Sequence, residues 1–176
     1  MKIIKDLNAF SDNKLSKVVV TIITNPNFHA LILFRVANFM YRTKLLIFIA
    51  KFLWYINRIV FNIDIDYRTS IGGGFVIKHG IGVVIGKNVV IGENCVVYQN
   101  VTLGGNSGKS RKNGSESFTQ PKIGDNTTIF AGAKVVGPII VGENCIIGVN
   151  AIITKDIEMM TVAYNKNELM YKEIAS

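Results

Sequence analysis

The stretch Ile85-Gly86-Lys87-Asn88-Val89-Val90-Ile91-Gly92-Glu93-Asn94-Cys95-Val96-Val97-Tyr98-Gln99-Asn100-Val101-Thr102-Leu103-Gly104 decides the fold. An aliphatic residue recurs at every sixth position: Ile85, Ile91, Val97 and Leu103. After an interruption the template resumes at Ile123, Ile129, Val135, Val141, Ile147 and Ile153. Glycine often follows directly, as at Gly86, Gly92, Gly104, Gly124, Gly142 and Gly148. Two places earlier stand mostly small or β-branched residues: Val89, Cys95, Val101, Thr127, Ala133, Cys145 and Ala151. A half-buried strand alternates with period two and a helix repeats every 3.6 residues, so a fixed period of six marks a stacked repeat architecture instead. Each six-residue element turns one corner of a three-sided prism, and its aliphatic residue points inward to stack on the coil below. Corners suit residues that lack a side chain or tolerate φ > 0, the expected role of the glycines and of Glu93-Asn94, Asp125-Asn126 and Glu143-Asn144. Ile71 and Ile77 belong to an earlier coil, offset by a two-residue insertion near Gly80 to Gly82.

The interruption itself, Gly105 to Gln120, is polar, basic and rich in Gly and Ser. It reads as a loop thrown out of the prism, and long loops on rigid scaffolds commonly carry function. Upstream the period is helical: Ser16 to Thr24 and Asn27 to Tyr41 are apolar with polar residues at helical spacing, punctuated by Pro26 and Asn27. Two or three helices fit between Ser11 and about Phe61. Leu45 to Ile63 is apolar and aromatic but interrupted by Lys51, Asn57 and Arg58. A spanning helix needs about 20 largely uncharged residues, so this segment reads as an amphipathic helix, packed on a partner or lying on a membrane surface. The expected organisation is a helical region over 1–62, a repeat domain over 63–160 with its loop at 105–120, and a tail over 161–176.

With 176 residues, 49% hydrophobic and 18% charged, the chain is long and apolar enough for one packed domain. Its net charge of +8 favours anionic partners, which include phosphorylated cofactors and phospholipid as well as nucleic acid. It carries no RNP motif, zinc pattern or basic helix with base-reading residues, so nucleic acid is not an expected partner. Cys95 and Cys145 cannot form a disulfide framework, and at their repeat positions they read as buried, reduced core residues. No signal peptide is legible in Met1 to Phe10, and the expected location is the cytoplasm, with peripheral contact at the inner face of the membrane as an option. Of the two histidines, His29 lies on a mostly apolar helical face and reads as structural. His79 lies at the break in repeat register, where a side chain can leave the stacking direction and meet a substrate. No metal site is expected.

Several segments resemble one family. Ile63-Asp64-Ile65, Ile71-Gly72, Ile77-Lys78-His79-Gly80-Ile81-Gly82-Val83-Val84-Ile85-Gly86, Val101-Thr102-Leu103-Gly104-Gly105, Pro121-Lys122-Ile123-Gly124 and Ala131-Gly132-Ala133-Lys134-Val135-Val136-Gly137 resemble, in order and spacing, the serine acetyltransferase family of hexapeptide-repeat acyltransferases. Asn25-Pro26-Asn27-Phe28-His29-Ala30 with Arg35-Val36-Ala37 is similar to the last helices of that family's N-terminal domain. The resemblance implies a mainly β fold, a left-handed parallel β-helix with a small N-terminal α-helical region. It also implies an acetyl-CoA-dependent O-acetyltransferase that works without metal or acyl-enzyme. His79 is then the general base and Asp64 the carboxylate that orients it, a pairing that fixes the tautomer and steadies the imidazolium. Gly104 and Gly105 are expected near the oxyanion, and acetyl-CoA along a groove between neighbouring prisms near Gly105, Ala131, Gly132 and Val149. Homotrimers follow, with pairing into hexamers left open.

The sequence departs from that family in ways that bear on the acceptor. Lys78 precedes His79 where the family has Asp, and Thr119-Gln120-Pro121 stands where it has Arg-His-Pro, the arginine being suited to a serine carboxylate. The chain ends Ile174-Ala175-Ser176, and its helical region is short. These departures favour a sugar hydroxyl of a capsular or exopolysaccharide precursor as the acceptor, in the manner of the short colanic-acid type enzymes. Serine O-acetylation for cysteine biosynthesis is the alternative. A non-catalytic β-helix scaffold is a third reading, disfavoured by the retention of both His79 and Asp64.

Overall fold

A computed structural model describes residues 2–44, 46–114 and 116–166. Leu45 at the head of the apolar segment and the end of the tail, 167–176, lie outside the described residues. Between Asp64 and Ala163 the chain forms a left-handed parallel β-helix whose three faces are each one parallel sheet. The first face stacks Asp64–Ile65, Val84–Ile85, Thr102–Gly104, Lys134–Val136 and Ile152–Ile153. The second stacks Ser70–Ile71, Val90–Ile91, Lys122–Ile123 and Ile140–Val141. The third stacks Val76–Lys78, Val96–Tyr98, Thr128–Ile129, Ile146–Ile147 and Val162–Ala163.

The six-residue template is the core. Every template aliphatic from Ile85 to Ile153 is buried, and so are the small residues two places earlier, from Val89 to Ala151. The inward side chains stack in register, Ile65 on Ile85 on Leu103 on Val135 on Ile153. Eighteen residues separate Ile85 from Leu103, but twenty separate Ile65 from Ile85 and Ile77 from Val97. The two extra residues sit in the corner after Lys78.

Left-handed backbone at the corners is shared: Asn88, Asn94, Asn100, Asn126, Asn144 and Asn150 have φ between 54° and 61°, and Gly74, Gly82 and Gly132 between 72° and 76°. Several glycines directly after an inward residue, Gly92, Gly124 and Gly142 among them, serve close approach instead. A Cβ on Gly124 would lie 2.6 Å from the backbone nitrogen of Glu143 in the next coil. The excursion at 105–120 is also more ordered than a polar loop implies, because Arg111–Asn113 and Glu116–Phe118 pair as an antiparallel hairpin.

Among the described residues four helices precede the prism: α1 (Lys2–Phe10), α2 (Leu15–Thr24), α3 (Pro26–Arg42) and α4 (Ile47–Phe61). The last three match the expected helical segments, and α1 is additional. α3 covers the open end of the first coil, where backbone groups have no coil below to bond. Arg35 donates to the carbonyls of Ile71 and Gly72, and Asn38 to those of Tyr67 and Thr69. Asp6 of α1 completes this cap by pairing with Arg35 at 2.9 and 3.1 Å and accepting from the Phe75 N–H. α4 buries Ala50 and Asn57 and leaves Phe48, Phe52, Tyr55 and Ile59 exposed. Among the described residues no single helix is long and apolar enough to cross a membrane.

Two predictions follow from burial. The Arg35 and Asp6 side chains are 6% and 1% exposed, so Arg35→Ala strands a buried carboxylate and two carbonyls. Its expected cost is about 3–5 kcal/mol, read by chemical denaturation. Cys95 and Cys145 are fully buried, with Sγ 3.1 Å from the Gly124 and Glu158 carbonyls, and burial pushes the Cys95 thiol up to about 11. A disulfide-exchange reagent at pH 8 should label neither thiol in folded protein and both after denaturation.

Candidate active site

The two inserted residues shape the turn that carries His79. At φ 53° His79 takes a left-handed backbone, and its side chain is exposed rather than stacked. The turn is held from several sides. Gly80 N donates to Asn27 Oδ1 at 3.0 Å, Gly82 N to the Asn62 carbonyl at 3.0 Å, and Val83 N to the Gly80 carbonyl at 3.1 Å. Asn27 lies in the first turn of α3, which Asn25 caps by accepting from the Asn27 and Phe28 N–H groups. The helical base therefore fixes the His79 turn directly.

Asp64 begins the first face, its strand paired with Val84, so it flanks the corner that carries His79. Its carboxylate is occupied from α4. Trp54 Nε1 donates to Oδ1 at 2.8 Å, and Arg58 Nε lies 3.3 Å from Oδ2. No hydrogen bond joins Asp64 to His79 among the described residues, and the two open onto separate clefts. One, of about 370 Å³, is lined by Arg58, Asn62, Asp64 and Ile81 to Val84. The other, of about 190 Å³, places His79 beside Asn27, Asn25 and Phe10. Trp54, Arg58 and Asn27 were absent from the sequence-derived site. Trp54 and Arg58 stand one helical turn apart just before the Asn62 reversal, at φ 53°, that leads into Asp64.

The residues expected to hold coenzyme A divide between the two margins of the first face. Ala131, Gly132 and Val149 stack on the margin that bears the His79 turn. Corner bonds tie that edge together, from Ile81 O to Asn100 N, Gln99 O to Gly132 N, and Ala131 O to Asn150 N. Lys134 Nζ closes the edge on the Asn100 and Gly132 carbonyls, both at 3.0 Å. Gly104 and Gly105 lie on the opposite margin, where the hairpin leaves the prism beside Gln120. The buried Gln120 Oε1 has no hydrogen-bond partner among the described residues.

The remaining candidates fall outside the chemistry. His29 Nε2 lies 2.7 Å from the Ile22 carbonyl and its ring packs on Phe61, a structural role. Arg111 of the hairpin is bound to Asp156 at 2.6 and 2.7 Å, which holds that carboxyl below its ordinary range. Among the described residues no three His, Cys, Asp or Glu side chains gather as metal ligands.

Residues 120–155 match the bacterial transferase hexapeptide family (six repeats). A serine acetyltransferase of Helicobacter pylori is 36% identical over 132 residues, 75% of this chain and 73% of that protein. One of Synechococcus elongatus is also 36% identical, over 75% of this chain and 51% of its own length. Among solved structures, serine acetyltransferase isoform 3 of Entamoeba histolytica in complex with cysteine superposes with TM-score 0.84 at 34% identity, over 99% of this chain and 60% of that one. The soybean serine acetyltransferase complexed with serine gives TM-score 0.81 at 30% identity, over 94% of this chain and 66% of its own. The chain thus spans about half to three quarters of the length of these relatives.

These likenesses overturn the expectation of a sugar acceptor and of polysaccharide synthesis. The helical base superposes along with the prism on the amoebal serine acetyltransferase, over 99% of this chain. Aligned over three quarters of its length with the Helicobacter protein, the chain belongs to the serine acetyltransferase family of hexapeptide-repeat acyltransferases.

Proposed function

We propose that this chain is a serine O-acetyltransferase that uses acetyl-CoA as its acyl donor, with His79 as the general base. The observation that carries the proposal is the inserted turn. It is the one corner in the first coil that departs from the period, and it lifts an imidazole out of the stack next to the strand bearing Asp64. The imidazole takes the proton of the serine hydroxyl as the oxygen attacks the thioester carbonyl. The tetrahedral intermediate then collapses, the C–S bond breaks, and the imidazolium returns the proton to the departing thiolate. Backbone N–H groups near Gly104 and Gly105 are the proposed oxyanion donors. Asp64 supplies the negative charge that favours the imidazolium.

The proposed assembly is a homotrimer, with coenzyme A lying between prisms near Gly105, Ala131, Gly132 and Val149. Exposed apolar side chains support it. Ile81 and Val149 on the His79 edge, Val84 and Ile152 on the first face, and Ile146 and Val162 on the third all point outward. The second face exposes only Val90 among large apolar residues on its strands. An apolar surface gathered around one edge is expected to be covered, and covering it builds a wall opposite His79. The proposed location is the cytoplasm, and residues 1–62 and 63–160 are the proposed base and catalytic domain.

Release of thiol from acetyl-CoA in the presence of L-serine tests the activity. Turnover at millimolar serine is expected, and its absence removes the proposal. His79→Ala should lower kcat by roughly 10²- to 10⁴-fold, and Asp64→Asn by about 10- to 10³-fold. Light scattering on the purified protein should give three times the 19.5 kDa chain mass, or a doubling of that trimer.

A further inference from the structure

We infer that Arg58 binds the carboxylate of the acceptor. This rests on the serine reading above and assigns a residue to that acceptor's recognition. Arg58 is held on two sides. Its guanidinium lies over the Trp54 ring, 5.0 Å from the centroid, and its Nε edge faces Asp64 Oδ2 at 3.3 Å. The Trp54 indole is in turn fixed by its 2.8 Å bond to Asp64 Oδ1. Trp54, Arg58 and Asp64 thus close a triangle that leaves one edge of the guanidinium unused. Its two Nη groups make no hydrogen bond to any described residue, and the side chain borders the cleft of about 370 Å³ that Asp64 and the inserted turn also line.

The chemistry of that open edge is specific. A planar guanidinium offers two parallel N–H groups that match the two oxygens of a carboxylate, and stacking on an aromatic face holds the fork in place before the ligand arrives. Arg58 is the only cation among the described residues lining the cleft, and the walls from Ile81 to Val84 carry no charge. Its pairing with Asp64 is a single, half-exposed contact, worth little in water. A second carboxylate on the Nη edge therefore binds without displacing the first. In the excursion after Gly105, Arg111 is occupied by Asp156, and Lys109 and Lys112 do not line this cleft. A small hydroxy acid seated on Arg58 lies against Ile81 and Gly82, on one side of the turn whose other side presents His79, so its hydroxyl reaches the imidazole around that corner.

Acetylation of L-serine and of 2-aminoethanol, which has the same hydroxyl and amine but no carboxylate, tests the assignment in wild type, Arg58→Gln and Arg58→Lys. Arg58→Gln should lower kcat/KM for serine on the order of 30-fold, mainly through KM, and shrink the preference for serine over 2-aminoethanol by a similar factor. Arg58→Lys, which keeps the charge and loses the fork, should recover part of both. An unchanged preference in a variant with a wild-type melting curve overturns the role of Arg58 while leaving the serine activity standing. If wild type fails to acetylate serine, the proposed function falls by itself. Calorimetric titration with L-serine then decides Arg58 separately: binding lost in Arg58→Gln supports it, and equal binding or none in wild type overturns it.

Discussion

Every coil of this protein must hydrogen-bond to the coil before and after it, and that requirement sets where anything irregular can occur. Strand N–H groups donate up or down the prism at 2.8–3.2 Å, and the inward aliphatic ladder allows no slip without exposing a face. Extra residues are therefore tolerated only at corners. The chain uses two. The insertion after Lys78 is small enough that Ile77 still pairs with Val97, so register survives while His79 is expelled from the stack. The excursion after Gly105 is large enough to fold on itself as a hairpin before Lys122 rejoins Val90. Chemistry gathers at such breaks because a stacked side chain is spent on its neighbours.

The stacking was legible because it is local and periodic, and even the two-residue offset of Ile71 and Ile77 could be read from spacing alone. Other features were not, for identifiable reasons. α1 carries a clear helical period, with Ile3, Leu7 and Phe10 on one face, but it is only nine residues long; it is held by Asp6 reaching Arg35 of α3 and the Phe75 N–H, contacts distant in sequence. The hairpin hid behind a composition typical of loops, since the strand Arg111–Asn113 pairs through backbone rather than through apolar side chains. The corner role expected of glycine and of the Asn in the acid-Asn pairs holds at Gly74, Gly82 and Gly132 and at Asn94, Asn126 and Asn144, but the repeat glycines Gly92, Gly124 and Gly142 instead make room for the next coil's backbone, a contact that spacing alone does not show.

The misreading of the acceptor has a physical lesson of its own. The sugar expectation leans in part on the absence of an arginine at Thr119-Gln120, one place along the sequence. Recognition of a charged group needs a cation at a point in space, and several elements can supply it. In sequence α4 reads by its apolar surface, with Lys51, Asn57 and Arg58 as interruptions. Trp54 and Arg58 meet Asp64 only because Asn62 reverses the chain with a left-handed backbone, and a single such residue gives no periodic signal.

The helical base is thus more than a lid on the first coil. A parallel solenoid ends in unpaired backbone groups, and leaving them buried without partners costs free energy comparable to lost hydrogen bonds. α3 meets that need with Arg35 and Asn38, whose side chains bond the carbonyls of Ile71, Gly72, Tyr67 and Thr69. Because the cap must seat closely to do so, its first turn arrives at Gly80, where Asn27 holds the turn beside His79. α4, packed against α3 through Asn57 on the Ala30 carbonyl, arrives at Asp64 with Trp54 and Arg58. The groups that end the stack and the groups that surround the proposed base therefore belong to one rigid unit. A change that loosens α3 is felt at His79 through Asn27, and one that shifts α4 is felt at Asp64 through Trp54, although neither helix contributes the base itself.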